Sequence, residues 1–140
     1  MTVQLNTTLR NNMVSQYEST IGTSPKLIFR TGAQPANAAA VDSGTLLAIL
    51  TLPSDWMAAP SAGAVALLGT WSGTGAAAGT AAHYRLKDST ATSTDNTGTT
   101  YDQGSVTATG GGGDLTLDNT SIAISQAISV TSWTRTQGGA

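Results

Sequence analysis

Residues 69–87, GTWSGTGAAAGTAAHYRLK, constrain the fold more than any other stretch of the chain. A Trp-centred turn leads into small, glycine-punctuated residues. A strand follows in which Ala82, Tyr84 and Leu86 alternate with His83, Arg85 and Lys87. A period of two marks a half-buried strand. Ala82, Tyr84 and Leu86 are therefore expected to pack inward, and His83, Arg85 and Lys87 to face water.

The same period recurs along the chain. Residues 26–31 place Leu27 and Phe29 on one face. Residues 45–52, TLLAILTL, form the most apolar run, bounded by Gly44 and Pro53, and are expected to be a strand buried on both faces. Further short strands are expected at 64–68, 101–108, 114–117, 121–124 and 127–133. Residues 32–44 and 53–63 read as loops, the second carrying Trp56 as a plug at the end of the fold. Residues 69–79, with Trp71, and the glycine run 110–113 read as flexible turns, and 88–100 as an exposed hairpin tip. Before the strands, residues 7–21 read as one amphipathic helix, with Leu9, Met13, Tyr17 and Ile21 as its apolar stripe. Thr7 or Thr8 would cap it, and Gly22 and Pro25 would end it. The expected fold is all-β, an antiparallel β-sandwich of jelly-roll or Ig-like type with one N-terminal amphipathic helix. It forms a single domain over residues 1–140: helix 7–21, sandwich 26–134 and a flexible tail 135–140. No internal repeat is evident.

Composition narrows the functional classes. Charged residues make up 10% of 140, against about 25% in a typical soluble domain. Thr, Ser, Ala and Gly take their place, and such a surface suits close contact with other proteins because little charge must be dehydrated. The six basic residues, Arg10, Lys26, Arg30, Arg85, Lys87 and Arg135, are scattered. They form no basic stripe for phosphates, so no nucleic-acid partner is expected. With no cysteine, disulfides and thiolate zinc sites are excluded. The N-terminal residues lack a secretory pattern, and no apolar run reaches membrane-spanning length. No membrane association is expected, and the chain is expected in the cytoplasm of its producer.

Candidates for chemistry are few. His83 is the sole histidine and the only ready general base, but it sits in a strand and reads as a solvated or interface residue. GTWSG at 69–73 is not a nucleophile elbow, since its Ser comes one place late. Asp88, Asp95 and Asp102 recur every seven residues, and Asp114 and Asp118 flank DLTLD. Calcium-loop density is absent, and turn residues explain them better. The single Glu, Glu18, lies on the helix, which leaves a glycosidase without a placeable acid pair. The run TGGGGD ends in Asp114 where a phosphate loop needs Lys, so it cradles no phosphate. Trp56, Trp71 and Trp133 fall in three separate segments, which favours packing over sugar stacking. No residue is given a catalytic, cofactor-binding or metal-binding role, and the chain is not expected to be an enzyme.

The order TLRNNMVSQYESTIG, SPKLIFRTGAQPANAAAVDSGTLLAILTLPSDW, GTWSGTGAAAGTAAHYRLKDS and GSVTATGGGGDLTLDNTSIAISQAISVTSWT resembles small virion-associated structural proteins of tailed bacteriophages. The resemblance spans nearly the whole chain, rests on pattern rather than a catalytic signature, and transfers no site residue. It implies a place in the phage particle, with head decoration (cement) on the capsid surface as the leading role. The implied partners are the major capsid protein and neighbouring copies of the chain, in a homo-oligomer on the capsid assembled in the host cytoplasm. The N-terminal segment and the loops 32–44 and 55–63 would make the contacts. A tail or fibre module, in one version reading sugars, is the alternative.

Overall fold

The five central strands are built from the alternating segments and place two chemically different faces back to back. The computed structural model describes residues 2–140. It contains one helix, α1 (Thr7–Ile21), followed by β1 (Lys26–Arg30), β2 (Leu46–Thr51), β3 (Ala64–Ala66), β4 (Trp71–Thr74), β5 (Gly79–Thr80), β6 (His83–Lys87), β7 (Thr100–Ala108), β8 (Leu115–Leu117), β9 (Ser121–Ile122), β10 (Ala127–Val130) and β11 (Thr134–Thr136). The fold is β-rich with a single N-terminal helix, as expected.

The main sheet runs β2-β1-β6-β7-β8. Its register pairs Leu27 with Leu86 and Phe29 with Tyr84 across β1 and β6. All four are fully buried. The same register pairs Ile28 with Arg85 and Arg30 with His83, so the opposite face carries cations. Three two-stranded ribbons, β4–β10, β3–β11 and β5–β9, supply Val65, Trp71, Ile122, Ile128 and Val130 to the core that Leu27 and Phe29 share. At residues 69–79, expected as a flexible turn, Trp71–Thr74 is instead strand β4. Its pairing partner β10 lies more than fifty residues away in sequence, so nothing local announces it.

One pairing departs from the antiparallel expectation: β7 and β8 run parallel. Only residues 109–114 join them, so the chain must double back against its own strand. The glycine run makes this possible. Gly110 and Gly112 adopt φ of +88° and +78°, a region costly for other residues. A Cβ on Gly111 or Gly113 would lie 2.8–2.9 Å from the Thr107 side chain. Gly113 N–H donates to Thr107 Oγ1 at 3.0 Å and Asp114 N–H to Ser105 Oγ at 3.1 Å. The run is a packed return.

The helix has the expected bounds but turns a different face inward. Asn6, not Thr7 or Thr8, caps it, accepting from Leu9 N–H at 2.8 Å. Gly22 closes it at φ 90°, its N–H donating to Glu18 O. The buried positions are Arg10, Val14 and Ile21, while Leu9 and Met13 remain 47% and 43% exposed. Arg10 wins the inward place because its guanidinium satisfies two loop carbonyls, Ala62 O at 2.9 Å and Gln137 O at 3.1 Å. Its aliphatic stem tolerates burial. Glu18 Oε1 likewise accepts from Trp56 and Met57 N–H.

The three tryptophans converge. Ring centroids lie 5.9 Å apart for Trp56–Trp71, 5.0 Å for Trp71–Trp133, 6.2 Å for Trp133–Tyr17 and 5.8 Å for Tyr17–Trp56. This closed ring of tilted and edge-on contacts follows the geometry that aromatic quadrupoles favour. The segment expected as a flexible tail is tied in: Arg135 belongs to β11, Gln137 N–H donates to Gly63 O, and Gly139 O accepts from Leu5 N–H.

Candidate functional site

The side chains expected to face water, His83, Arg85 and Lys87, are buried to 1%, 0% and 2% exposure, and Arg30 beside them to 1%. Alternation located the two faces of β6 correctly but could not say that both are covered. The cover is residues 32–44 and 88–99, which fold over the cationic face. The first of these loops has no regular structure, so its carbonyls need partners from elsewhere. The sheet provides them. Arg85 Nη2 donates to Ala38 O at 2.6 Å and Ala40 O at 2.9 Å. Arg30 Nη1 donates to Ser43 O and Gly44 O. Gln103 Nε2 donates to Pro35 O at 2.7 Å. The loop thus takes its shape from side chains it covers.

Asp42, from that loop, is the counter-ion. Its side chain is 1% exposed. It accepts from Arg85 Nη1 at 3.0 Å, Lys87 Nζ at 2.7 Å and Asn96 N–H at 2.6 Å, with Arg30 Nη2 at 3.6 Å. Burial alone would raise its pKa. The hydrogen bonds from Lys87 and Asn96 and the charges of Lys87 and Arg30 outweigh burial and hold it below the ordinary carboxylate value. Asp95, on the expected exposed tip, adds a second ion pair to Arg30 with its own side chain 56% exposed. The tip is therefore fastened down, with Ala91 buried and Lys87 donating to Thr97 O.

His83 Nδ1 lies 2.9 Å from Gly32 O and donates to it, leaving Nε2 buried without a partner. Burial lowers its pKa first, and the nearby charges of Arg30 and Arg85 lower it further against the pull of the Gly32 bond and Asp42. A neutral ring sealed under a loop has no route to a substrate. It does have a consequence for stability. The unfolded chain takes up a proton at His83 near pH 6.5, whereas the folded chain resists. Stability is then complete above about pH 6.5 and falls below it, by up to ~1.4 kcal/mol per pH unit. Urea unfolding between pH 7.5 and 5 should give a falling midpoint for the native chain and a nearly flat one for His83→Gln.

A second polar cluster lies on the apolar side. Asp102 pairs with Arg135 and accepts from Tyr17 Oη, and Tyr84 Oη donates to it at 3.2 Å. Burial, reinforced by the charge of Asp102, raises the pKa of both tyrosines, so both stay protonated. Arg135 also stacks over Trp133, 4.6 Å from the ring centroid. The cluster locks α1, β6, β7 and β11 together.

The other candidate acids are taken up locally. Asp88 accepts from Thr90 and Thr99 N–H, and Asp114 from Ser105 N–H at 2.8 Å. Asp118 is exposed near Thr109. Among the described residues no group of three His, Cys, Asp or Glu is placed to hold a metal ion. Trp56, Trp71 and Trp133 are 0%, 1% and 4% exposed, so none presents a ring to a sugar.

The net effect is a redistribution of charge that no single motif announced. Arg10, Arg30, Arg85 and Lys87 are inside, and Arg135 is held by Asp102. Lys26 stays at the surface beside Thr51. Asp55, Asp95, Asp114 and Asp118 are exposed. The exterior is cation-poor and dominated by small hydroxyl and methyl groups. The chain matches no family model, no curated protein and no solved structure.

Proposed function

We propose that this chain is a structural protein of a tailed-phage particle, a head decoration (cement) protein that binds the outside of the major capsid shell and works without catalysis. The observation that carries this reading is the inward placement of the cations. It leaves a surface with little charge to dehydrate when protein meets protein. The loops 32–44 and 55–63 remain the contact candidates, now as fixed shapes. The first is held by Arg30 and Arg85, the second by Arg10, Asn11 and Glu18. A fixed contact surface loses less entropy on docking than a mobile loop. Many copies on one shell add modest contacts into a strong one.

The finer architectural description belongs to the same reading. The ribbons β4–β10 and β3–β11 form the layer opposite the five-stranded sheet, giving a sandwich of jelly-roll or Ig-like type. The partners are the major capsid protein and neighbouring copies of the chain, on the capsid surface, after assembly in the host cytoplasm. Nucleic acid and membrane are not partners in this reading. The alternative of a sugar-reading tail or fibre module loses its main support, since its tryptophans are interior.

The test is reconstitution. The purified chain is added to undecorated heads assembled from the major capsid protein of the phage from which the chain comes. Bound copies should scale with the number of capsomers, and the heads should dissociate at a higher temperature. No binding, or copies confined to one vertex, would remove the decoration role.

A further inference from the structure

Residues 32–44 cover the cationic face of the main sheet without joining the core. Apart from the Asp42 side chain, no residue of this segment is buried, and none belongs to the apolar cluster that unites sheet and ribbons. Its attachments are polar. His83 holds the carbonyl of Gly32, Gln103 that of Pro35, Arg85 those of Ala38 and Ala40, and Arg30 those of Ser43 and Gly44. Asp42 N–H donates to Asn96 Oδ1 at 2.7 Å and Asn96 N–H to Asp42 Oδ2 at 2.6 Å, which ties the segment to the tip 88–99. The segment begins and ends at glycines with φ of +75° and +69°, the kind of end residue on which a loop can turn. With so few apolar contacts it can lift while the core stays closed.

His83 lies under the first of these ends. In the sheet it pairs with Arg30 on one side and Ser105 on the other. The charged groups around its ring are Arg30 from β1, Arg85 and Lys87 from β6, Asp42 from the cover, and Asp95 from the tip through Arg30. β7 presents the uncharged Gln103, and Ser105 bonded to the exposed Asp114. A proton on Nε2 would be the fourth positive charge on this face. Asp42, the carboxylate sealed among them, is already shared by Arg85 and Lys87. Nε2 has no partner, and Gln103 Oε1, also without one, is neutral. A further uncompensated charge in this interior is costly, and in water it is not.

We propose that residues 32–44 are an acid-released lid: protonation of His83 lifts them from the sheet and bares Arg30, Arg85 and Lys87 while the core stays folded. His83 is the sole histidine, so it is the only side chain whose ordinary pKa lies between 5 and 8. With the lid open the ring takes up a proton near pH 6.5, and with the lid closed it resists. Closure is therefore complete above about pH 6.5, and below it the open fraction grows by up to about tenfold per pH unit. Asp42, held below the ordinary carboxylate value, stays ionised down to pH 5. The lid includes one of the two contact loops, so on the decoration reading acid also loosens attachment. The opening itself needs no capsid and is tested on the free chain, so either can fail while the other stands.

Amide hydrogen exchange followed by NMR at pH 7.0 and 5.0, with each rate referred to the intrinsic rate at that pH, tests the lid. The Asp42 and Asn96 N–H groups, bonded only across the lid, are its reporters. In the native chain they should be protected at pH 7.0, yet exchange at least tenfold faster than the central amides of β1 and β6. Low urea should leave their rates unchanged, as a local opening requires. Their protection should fall by about tenfold or more at pH 5.0 and hold steady in His83→Gln. His83→Asn, which also keeps a donor without titrating, serves if the first variant does not fold. Reporters without protection at pH 7.0, reporters as protected as the strands, protection indifferent to pH, or the same pH response without the histidine would each overturn the proposal.

Discussion

Asp42→Ala should lower the stability of the fold by about 3–5 kcal/mol, the range measured when one partner of a buried ion pair is removed. For a domain of this size that is a fall in melting temperature on the order of 10–20 °C. The reason is an imbalance of charge. Three cations, Arg30, Arg85 and Lys87, lie at 2% exposure or less around one buried carboxylate. Removing it leaves their repulsion and dehydration without compensation, and also frees Asn96 N–H and the loop it anchors. Asp95→Ala is the internal control. It breaks an ion pair to the same Arg30, but from a carboxylate more than half exposed, and should cost under about 1 kcal/mol. Chemical denaturation of the two variants side by side measures the difference. Equal effects would mean that the cationic face is wetter than its burial implies.

Trp71→Ala should cost about as much, ~3–5 kcal/mol, for a different reason. Trp71 is 1% exposed and touches both Trp56 and Trp133 in the aromatic ring. Its removal opens a cavity at the junction of the main sheet and the β4–β10 ribbon. Smaller substitutions separate packing from hydrogen bonding. Trp71 Nε1 donates to Leu68 O at 3.1 Å, whereas Trp133 Nε1 is buried with no partner. Trp71→Phe leaves a carbonyl unpaired, and Trp133→Phe removes an orphan donor, so the second should be the milder change. Guanidinium unfolding followed by far-UV circular dichroism gives the ranking without relying on the altered fluorophores.

Much of the fold was legible from local pattern. The helix at 7–21 and the strands around 26–30, 46–51, 83–87 and 100–108 follow from periodicity and from Gly and Pro punctuation. What local pattern missed is what distant partners decide. Arg10 displaced Leu9 and Met13 from the helix's inner face because carbonyls at residues 62 and 137 needed its donors. β4 was hidden in a Gly- and Ala-rich stretch whose strand character comes from β10. The buried state of Arg85 and Lys87 depends on Asp42, more than forty residues upstream. A hint was present: Asp42 is the lone charged residue between Arg30 and Asp55, in a segment too long to be left without backbone partners. The tryptophans read correctly as packing residues, yet their convergence into one ring could not be read from three separate segments.

The placement of charge is open to direct chemical measurement, because the chain has two lysines in opposite situations. Lys26 reaches the surface beside Thr51, and Lys87 is sealed between Asp42 and Thr97 O. With a water-soluble amine reagent under native conditions, followed by peptide mass spectrometry, Lys26 should be modified while Lys87 stays protected until denaturant opens the fold. Similar rates at the two lysines in the folded protein would contradict an interior that keeps its cations from the surface.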